Sequence, residues 1–201
     1  MAGVRSATSA TPGAQTSWGR FFRSSLPCHT LGQAGSSRPI QLTSTNHVAT
    51  HVVLVYPEIH WNTGNAGRTC LAAGATLHLI KPLGFSLEER EVKRAGLDYW
   101  EHVDLRIWQN WEEFEGELPR LGEPFFFSTK ATRLFWDAPL GEPENVVLVF
   151  GRETGGLPDE LRERHRDRIV TMPMVSPHVR SLNLSTSVAV ALYEVLRQRR
   201  R

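Results

Sequence analysis

Three short segments of this chain hold residue types that could do chemistry. The first is Asn62-Thr-Gly-Asn-Ala-Gly-Arg68. Placed at the start of a helix, its glycines leave backbone N–H groups open, and the helix end adds positive charge that suits an anion. Arg68, one to two turns further in, has the length to reach a phosphate. The second is Gly151-Arg-Glu-Thr-Gly-Gly-Leu-Pro158, which sets the Glu153 carboxylate among glycines that permit close backbone approach or positive φ. The third runs from Met172-Pro-Met174 to Arg180-Ser-Leu-Asn-Leu-Ser185. Pro173 and Pro177 force a loop there, and Ser181, Asn183 and Ser185 crowd the start of an amphipathic helix. One of the three must cap that helix; all three exceed what capping needs. Each segment also has a plainer reading: a capped helix with a solvent-facing Arg, a turn with a solvated acid, and a cap.

The elements that would position these segments follow from hydrophobic patterning. Strands are expected at His51–Tyr56, Thr76–Ile80, His102–Trp108, Phe125–Ser128, Asn145–Phe150 and Arg168–Met172, and several of them are apolar throughout. Helices are expected at Thr63–Ala73, with Asn62 or Thr63 as cap and Gly74 as stop, and at 86–95, Asn110–Leu118, Pro158–Arg164 and Leu184–Arg197. In the last helix Leu184, Val188, Ala191, Leu192, Val195 and Leu196 form one stripe. Alternating strands and helices with fully apolar strands predict an α/β fold, a mainly parallel sheet with helices on both faces. Ligands of such sheets sit beyond the carboxyl ends of the strands, where all three segments fall.

The charge is uneven. Residues 1–50 contain no Asp, Glu or Lys and four of the chain's 23 basic residues: Arg5, Arg20, Arg23 and Arg38. The remaining 19 basic residues face 21 acidic ones, a net of −2, so the body binds nucleic acid only through local patches. Residues 1–50 are rich in Ser, Thr, Gly and Ala, with scattered Arg and no acidic residue, which fits an organelle transit peptide and points to plastid or mitochondrion. The alternatives are a plain extension or a misassigned start in a cytoplasmic protein. The domain is therefore set at 51–201. No run of eighteen uncharged apolar residues occurs, and two cysteines, Cys28 and Cys70, make neither a disulfide framework nor a structural zinc site. The sequence holds no Gly-x-Gly-x-x-Gly after the first strand, no P-loop and no Gly-x-Ser-x-Gly. His60, His78, His102, His165 and His178 show no metal-ligand spacing, and no metal is expected.

Together the three segments resemble the motifs of the SPOUT class of RNA methyltransferases, over roughly residues 51–197. Lys81-Pro-Leu-Gly-Phe85 and Arg94-Ala-Gly-Leu-Asp-Tyr-Trp100 are similar to the tRNA (cytidine/uridine-34)-2′-O-methyltransferases, which act on the wobble nucleotide of leucine tRNAs. Met174-Val-Ser-Pro-His-Val-Arg180 is one residue longer than the bacterial pattern. The resemblance implies a C-terminal trefoil knot, a homodimer, a tRNA substrate and S-adenosylmethionine as cofactor. It places the cofactor at Phe127, Gly151, Met172, Ser181 and Leu182, and the catalytic group at Arg68, Asn62, Glu153 and Asn183. Arg68, Lys130, Arg152 and Arg180 would contact RNA phosphates, with the Arg199–Arg201 tail as a further candidate.

In the reaction so implied, a ribose 2′-hydroxyl attacks a sulfonium methyl in line, and positioning supplies much of the rate. The family proposal gives Arg68 a part in deprotonation. A guanidinium is a poor base, so stabilising the developing alkoxide is the sounder assignment. Other readings remain: 2′-O-methylation at another tRNA position or of ribosomal RNA, and a knotted protein that binds RNA without modifying it.

Overall fold

The structure, a computed structural model, describes residues 48–87 and 99–200. The leader, up to residue 47, and nearly all of the helix expected at 86–95 lie outside the described residues. The described elements are β1 (Thr50–Val55), α1 (His60–Ala73), β2 (Thr76–Ile80), β3 (Leu105–Trp108), α2 (Trp111–Leu121), β4 (Glu123–Phe127), β5 (Val146–Phe150), α3 (Asp159–Arg164), β6 (Ile169–Val170) and α4 (Leu184–Gln198). Single 3-10 turns occupy Trp100–His102, Phe135–Asp137 and Arg166–Arg168.

The six strands form one sheet in the order β3-β2-β1-β5-β4-β6, and every pair is parallel. Side chains alternate across it, as strand geometry requires. Val52, Leu54, Leu77, Leu79, Leu148 and Phe125 join the core that holds Ala66 and Cys70 of α1 and Val188, Leu192 and Val195 of α4. Val53, Val55, Ile80, Val147, Val149 and Phe126 join Trp111, Phe114 and Leu118 of α2 and Leu161 of α3. Burial on both faces explains why these strands are continuous runs of Val, Leu, Ile and Phe. Burial also pushes the Cys70 thiol up to about 12, which leaves it a packing residue.

Several boundaries differ from expectation, each for a physical reason. The segment expected as strand from His102 opens with the 3-10 turn at Trp100–His102, and β3 starts at Leu105. The last strand shortens to Ile169–Val170, because it pairs only with Phe126 and Phe127 of β4. The sheet includes Thr50, and Ala49 pairs with it: Val146 N–H donates to the Ala49 carbonyl, so the folded body begins before residue 51. Arg199 donates to Thr50 Oγ1 at 2.6 Å, at the amino end of β1. That is the end of the sheet away from the three motifs, so Arg199 ties α4 to the sheet rather than serving an RNA tail. Among the described residues, no helix is long and apolar enough to cross a membrane.

Candidate functional site

The register levels β1 with β5, Leu54 beside Phe150, and β4 with β5, Phe127 beside Phe150. Their following loops therefore leave from one edge. After β1, Tyr56 takes a positive φ of 57°, an uncommon conformation for a bulky residue, and turns the chain sharply into Pro57-Glu58-Ile59. After β5 the chain folds back tightly: Gly156 N–H donates to the Arg152 carbonyl at 2.8 Å. A Cβ at Gly151 would stand 2.0 Å from the Gly156 carbonyl carbon, so only glycine fits there.

These loops and the stretch after β6 enclose a cavity of about 550 Å³. Its wall includes Asn62, Glu153 and Asn183, the apolar Phe127, Met172 and Leu182, Gly151 and Ser181, and the cations Lys130, Arg152 and Arg180. Every site residue expected from sequence therefore stands on one cavity, except Arg68. The Arg68 guanidinium lies 4.4 Å over the Tyr99 ring, on the exposed side of α1. The fold does not bring Arg68 to the wall of this chain's own cavity.

The polar centre of the site is a directional chain of hydrogen bonds. Glu153 accepts the Glu58 N–H at 2.8 Å, the Ile59 N–H at 3.3 Å and Asn62 Nδ2 at 2.9 Å. Asn62 Oδ1 accepts Asn183 Nδ2 at 2.8 Å. Asn183 Oδ1 then caps α4, accepting the Ser185 N–H at 2.9 Å and the Thr186 N–H at 3.4 Å, and also the Ser185 hydroxyl. In return Glu58 accepts the Thr154 N–H at 3.0 Å and its hydroxyl at 2.9 Å. These two bonds, with Arg152 nearby, hold the Glu58 carboxyl below its ordinary range. Glu58 and Thr154 thus clamp the β1 loop to the β5 loop. Sequence reading missed both, because neither has a spacing signal.

The first motif needs correction. Neither Asn62 nor Thr63 is a cap: α1 begins at His60, and its cap position, Ile59, makes no side-chain cap bond. Asn62 is buried inside the first turn. The N–H groups of Glu58 and Ile59, just before the helix, are met by Glu153, 95 and 94 residues away in sequence. The glycines of the motif serve packing. Tyr99 Oη donates to the Gly64 carbonyl at 3.0 Å, and a Cβ at Gly67 would stand 2.6 Å from the Trp100 ring.

As a chemical unit the cavity offers an apolar slot, a rigid polar hinge and four cations at its wall, Lys130, Arg152, Arg162 and Arg180. Three donors hold Glu153 in place, so its role is to orient the loops that it joins. Among the described residues no group of three or more His, Cys, Asp or Glu is placed to hold a metal ion.

Residues 49–193 match the SpoU rRNA Methylase family. A Methylovorus glucosotrophus (strain SIP3-4) protein named tRNA (cytidine(34)-2′-O)-methyltransferase is 46% identical over 148 residues, covering 73% of this chain and 94% of the relative. A Bacillus subtilis (strain 168) protein, which bears that name provisionally, is 49% identical over 159 residues, 76% of this chain and 95% of the relative. A structure reported for 2-OH methylation of C/U34 on tRNA superposes with a TM-score of 0.68 at 46% identity, covering 75% of this chain and 95% of that one. An AdoMet-bound rRNA methyltransferase from Sinorhizobium meliloti gives 0.65 at 25% identity, covering 74% and 56%.

Proposed function

The chain belongs to the SpoU rRNA Methylase family, and from that premise we propose that it methylates the ribose 2′-hydroxyl of the wobble nucleotide, cytidine or uridine 34, of tRNA with S-adenosylmethionine. Leucine tRNAs are the substrates tested first. The observation that carries the reading is the convergence of three separate motifs on one cavity beyond the carboxyl ends of β4, β5 and β6.

The residues present fit the cofactor. The cavity has the size of a small-molecule site. Phe127 and Phe150 stack with centroids 4.6 Å apart and with Met172 and Leu182 give a flat apolar wall suited to an adenine. Gly151, without a side chain, keeps the tight turn clear. S-adenosylmethionine supplies an electrophilic methyl group on sulfur. The chain's own residues do the rest. Phe127, Gly151, Met172, Ser181 and Leu182 bind and orient; Lys130, Arg152 and Arg180 meet RNA phosphates; Glu153, Asn62 and Asn183 fix the three loops against one another. A fixed site lowers the barrier by removing the entropy of alignment.

Arg68 is assigned to the 2′-oxygen as an electrostatic stabiliser. Because it stands outside its own cavity, this assignment goes with a homodimer in which a second copy meets the α1–α4 face. Exposed Trp61, Val190 and Tyr193 on those helices support such a contact. A C-terminal knot belongs to the same family reading. The serine-rich, acid-free composition of residues 1–47 supports import into a plastid or mitochondrion, which expression of residues 1–50 fused to a fluorescent protein tests against the cytoplasm.

The deciding experiment incubates the protein with methyl-labelled S-adenosylmethionine and unmodified leucine tRNA transcripts, then identifies the labelled nucleotide. Label on the ribose of nucleotide 34, lost in Arg68→Ala, is expected. Cofactor binding without label on any tRNA would sink the reading. Light scattering at several concentrations reports the dimer.

A further inference from the structure

A second, smaller cleft of about 260 Å³ opens beside the main cavity, and the two share Ser128, Lys130 and Arg162. Its own wall adds Thr132, Arg133 and Arg166, which no motif singled out. Lys130, Arg133, Arg162 and Arg166 here meet two carboxylates. Asp159 takes Arg162 and stands 3.9 Å from Lys130; Asp167 stands 3.9 Å from Arg166. The cleft is thus net positive on a body that is net negative. Arg166 is almost fully exposed, at 83%, and its one long contact with Asp167 leaves most of its donors open.

Arg133 donates from Nη2 to the Asp137 carbonyl at 3.0 Å and so closes the turn that carries Trp136. The neighbouring Phe135 is buried against Phe127, which anchors this turn to the end of β4. Trp136 itself is 57% exposed. A large indole held in water on a rigid turn, next to a cationic cleft, is the pairing that single-stranded nucleic acid uses: cations follow the phosphates and a base stacks on the ring.

We propose that this cleft binds the RNA strand next to the nucleotide being methylated, with Arg133 and Arg166 on backbone phosphates and an unstacked base on Trp136. The inference rests on the methyltransferase reading above and extends it. The shared residues Ser128, Lys130 and Arg162 make the cleft continuous with the site where the target ribose must lie, which favours RNA over any unrelated anion.

The test measures binding of a leucine tRNA transcript to the full chain across a KCl series, with calorimetric titration of S-adenosylmethionine beside it. Arg133→Ala/Arg166→Ala is expected to weaken tRNA binding by roughly tenfold or more. It should also flatten the dependence of log Kd on log salt by about 1.4, two single-strand contacts' worth. Arg133→Lys/Arg166→Lys should restore that slope. Trp136→Ala should weaken binding by about 5- to 150-fold without changing the slope, and Trp136→Phe should keep most of the affinity. S-adenosylmethionine affinity should stay the same in all four, which also reports intact folding. If the alanine variants bind tRNA with wild-type affinity and slope while wild type transfers methyl, the cleft assignment falls alone. If wild type neither binds nor methylates tRNA, both readings fall.

Discussion

Asn183 donates its side-chain N–H to the side-chain oxygen of Asn62 at 2.8 Å, joining the start of α4 to the first turn of α1 across 121 residues of sequence. Neither amide is free to flip. Asn62 must present nitrogen to the Glu153 carboxylate, which leaves its oxygen for Asn183; Asn183 must then present its own oxygen to the N–H groups of Ser185 and Thr186. One carboxylate therefore sets the orientation of two amides and one helix cap, and the three motifs are joined mechanically before any ligand binds.

Asn62→Asp tests that polarity. The substitution keeps shape and the acceptor for Asn183, but it replaces the donor to Glu153 with a second carboxylate. Asn62 is buried, so the repulsion is poorly screened. A loss of about 2 kcal/mol is expected, seen as a fall in Tm of roughly 4–8 °C. An unchanged Tm would mean that the amides carry none of the load.

Gly151→Ala addresses the turn after β5. Its new Cβ would meet backbone atoms of Gly156 and Leu157 at 2.0 and 2.1 Å, so the loop must open. Glu153 lies on that loop and moves with it. S-adenosylmethionine affinity is expected to fall by at least tenfold by calorimetry, while the sheet survives by circular dichroism. Wild-type affinity would show that the turn does not shape the cofactor wall.

What the sequence made legible divides along a physical line. Buried parallel strands announce themselves in local composition, and Thr76–Ile80 came out residue for residue. A cap on α4 was readable too, narrowed to Ser181, Asn183 or Ser185, because a cap is a relation between neighbours; the structure makes it Asn183. The true start of α1 was not. Its apolar cap position, Ile59, gives no signal, and the carboxylate that meets the preceding N–H groups is Glu153. Long-range capping leaves no trace in spacing, and the same holds for the Glu58–Thr154 clamp. Arg68 marks the other limit: its motif is plain in sequence, yet the chain's own fold sets it over Tyr99.

Acid should weaken the fold through a buried imidazole pair. Trp108 Nε1 can only donate, and it points at His78 Nδ1 at 3.0 Å. The single proton of neutral His78 is then on Nε2, which donates to His51 Nδ1 at 3.0 Å. Burial, then His51 and Arg106, push His78 down to about 3; burial and Arg106 lower His51 as well. The unfolded chain therefore binds more protons between that value and the ordinary histidine range. Stability is full above about pH 6.5 and is lost as pH falls through the window. Urea unfolding should show a loss of about 2 kcal/mol between neutral pH and pH near 5. His78→Gln should flatten the profile. A wild-type curve flat over that range would contradict the neutral pair.

Asn183 does two jobs, and a pair of substitutions separates them. Asn183→Ala removes both the cap and the link to Asn62, and should cost about 1 kcal/mol or more for the cap alone. Asn183→Asp keeps an oxygen for the Ser185 and Thr186 N–H groups, and its charge suits a helix N-terminus. It loses the donor to Asn62, however, and sets two oxygens against each other where a 2.8 Å bond stood. The Asp variant should therefore keep more of its thermal stability than the Ala variant, yet lose methyl transfer by a similar factor, since both release α4 from α1. Equal activity of Asn183→Asp and wild type would show that the cap is all that Asn183 contributes. Equal loss of stability in both variants would show that the link to Asn62, not the cap, holds α4 in place.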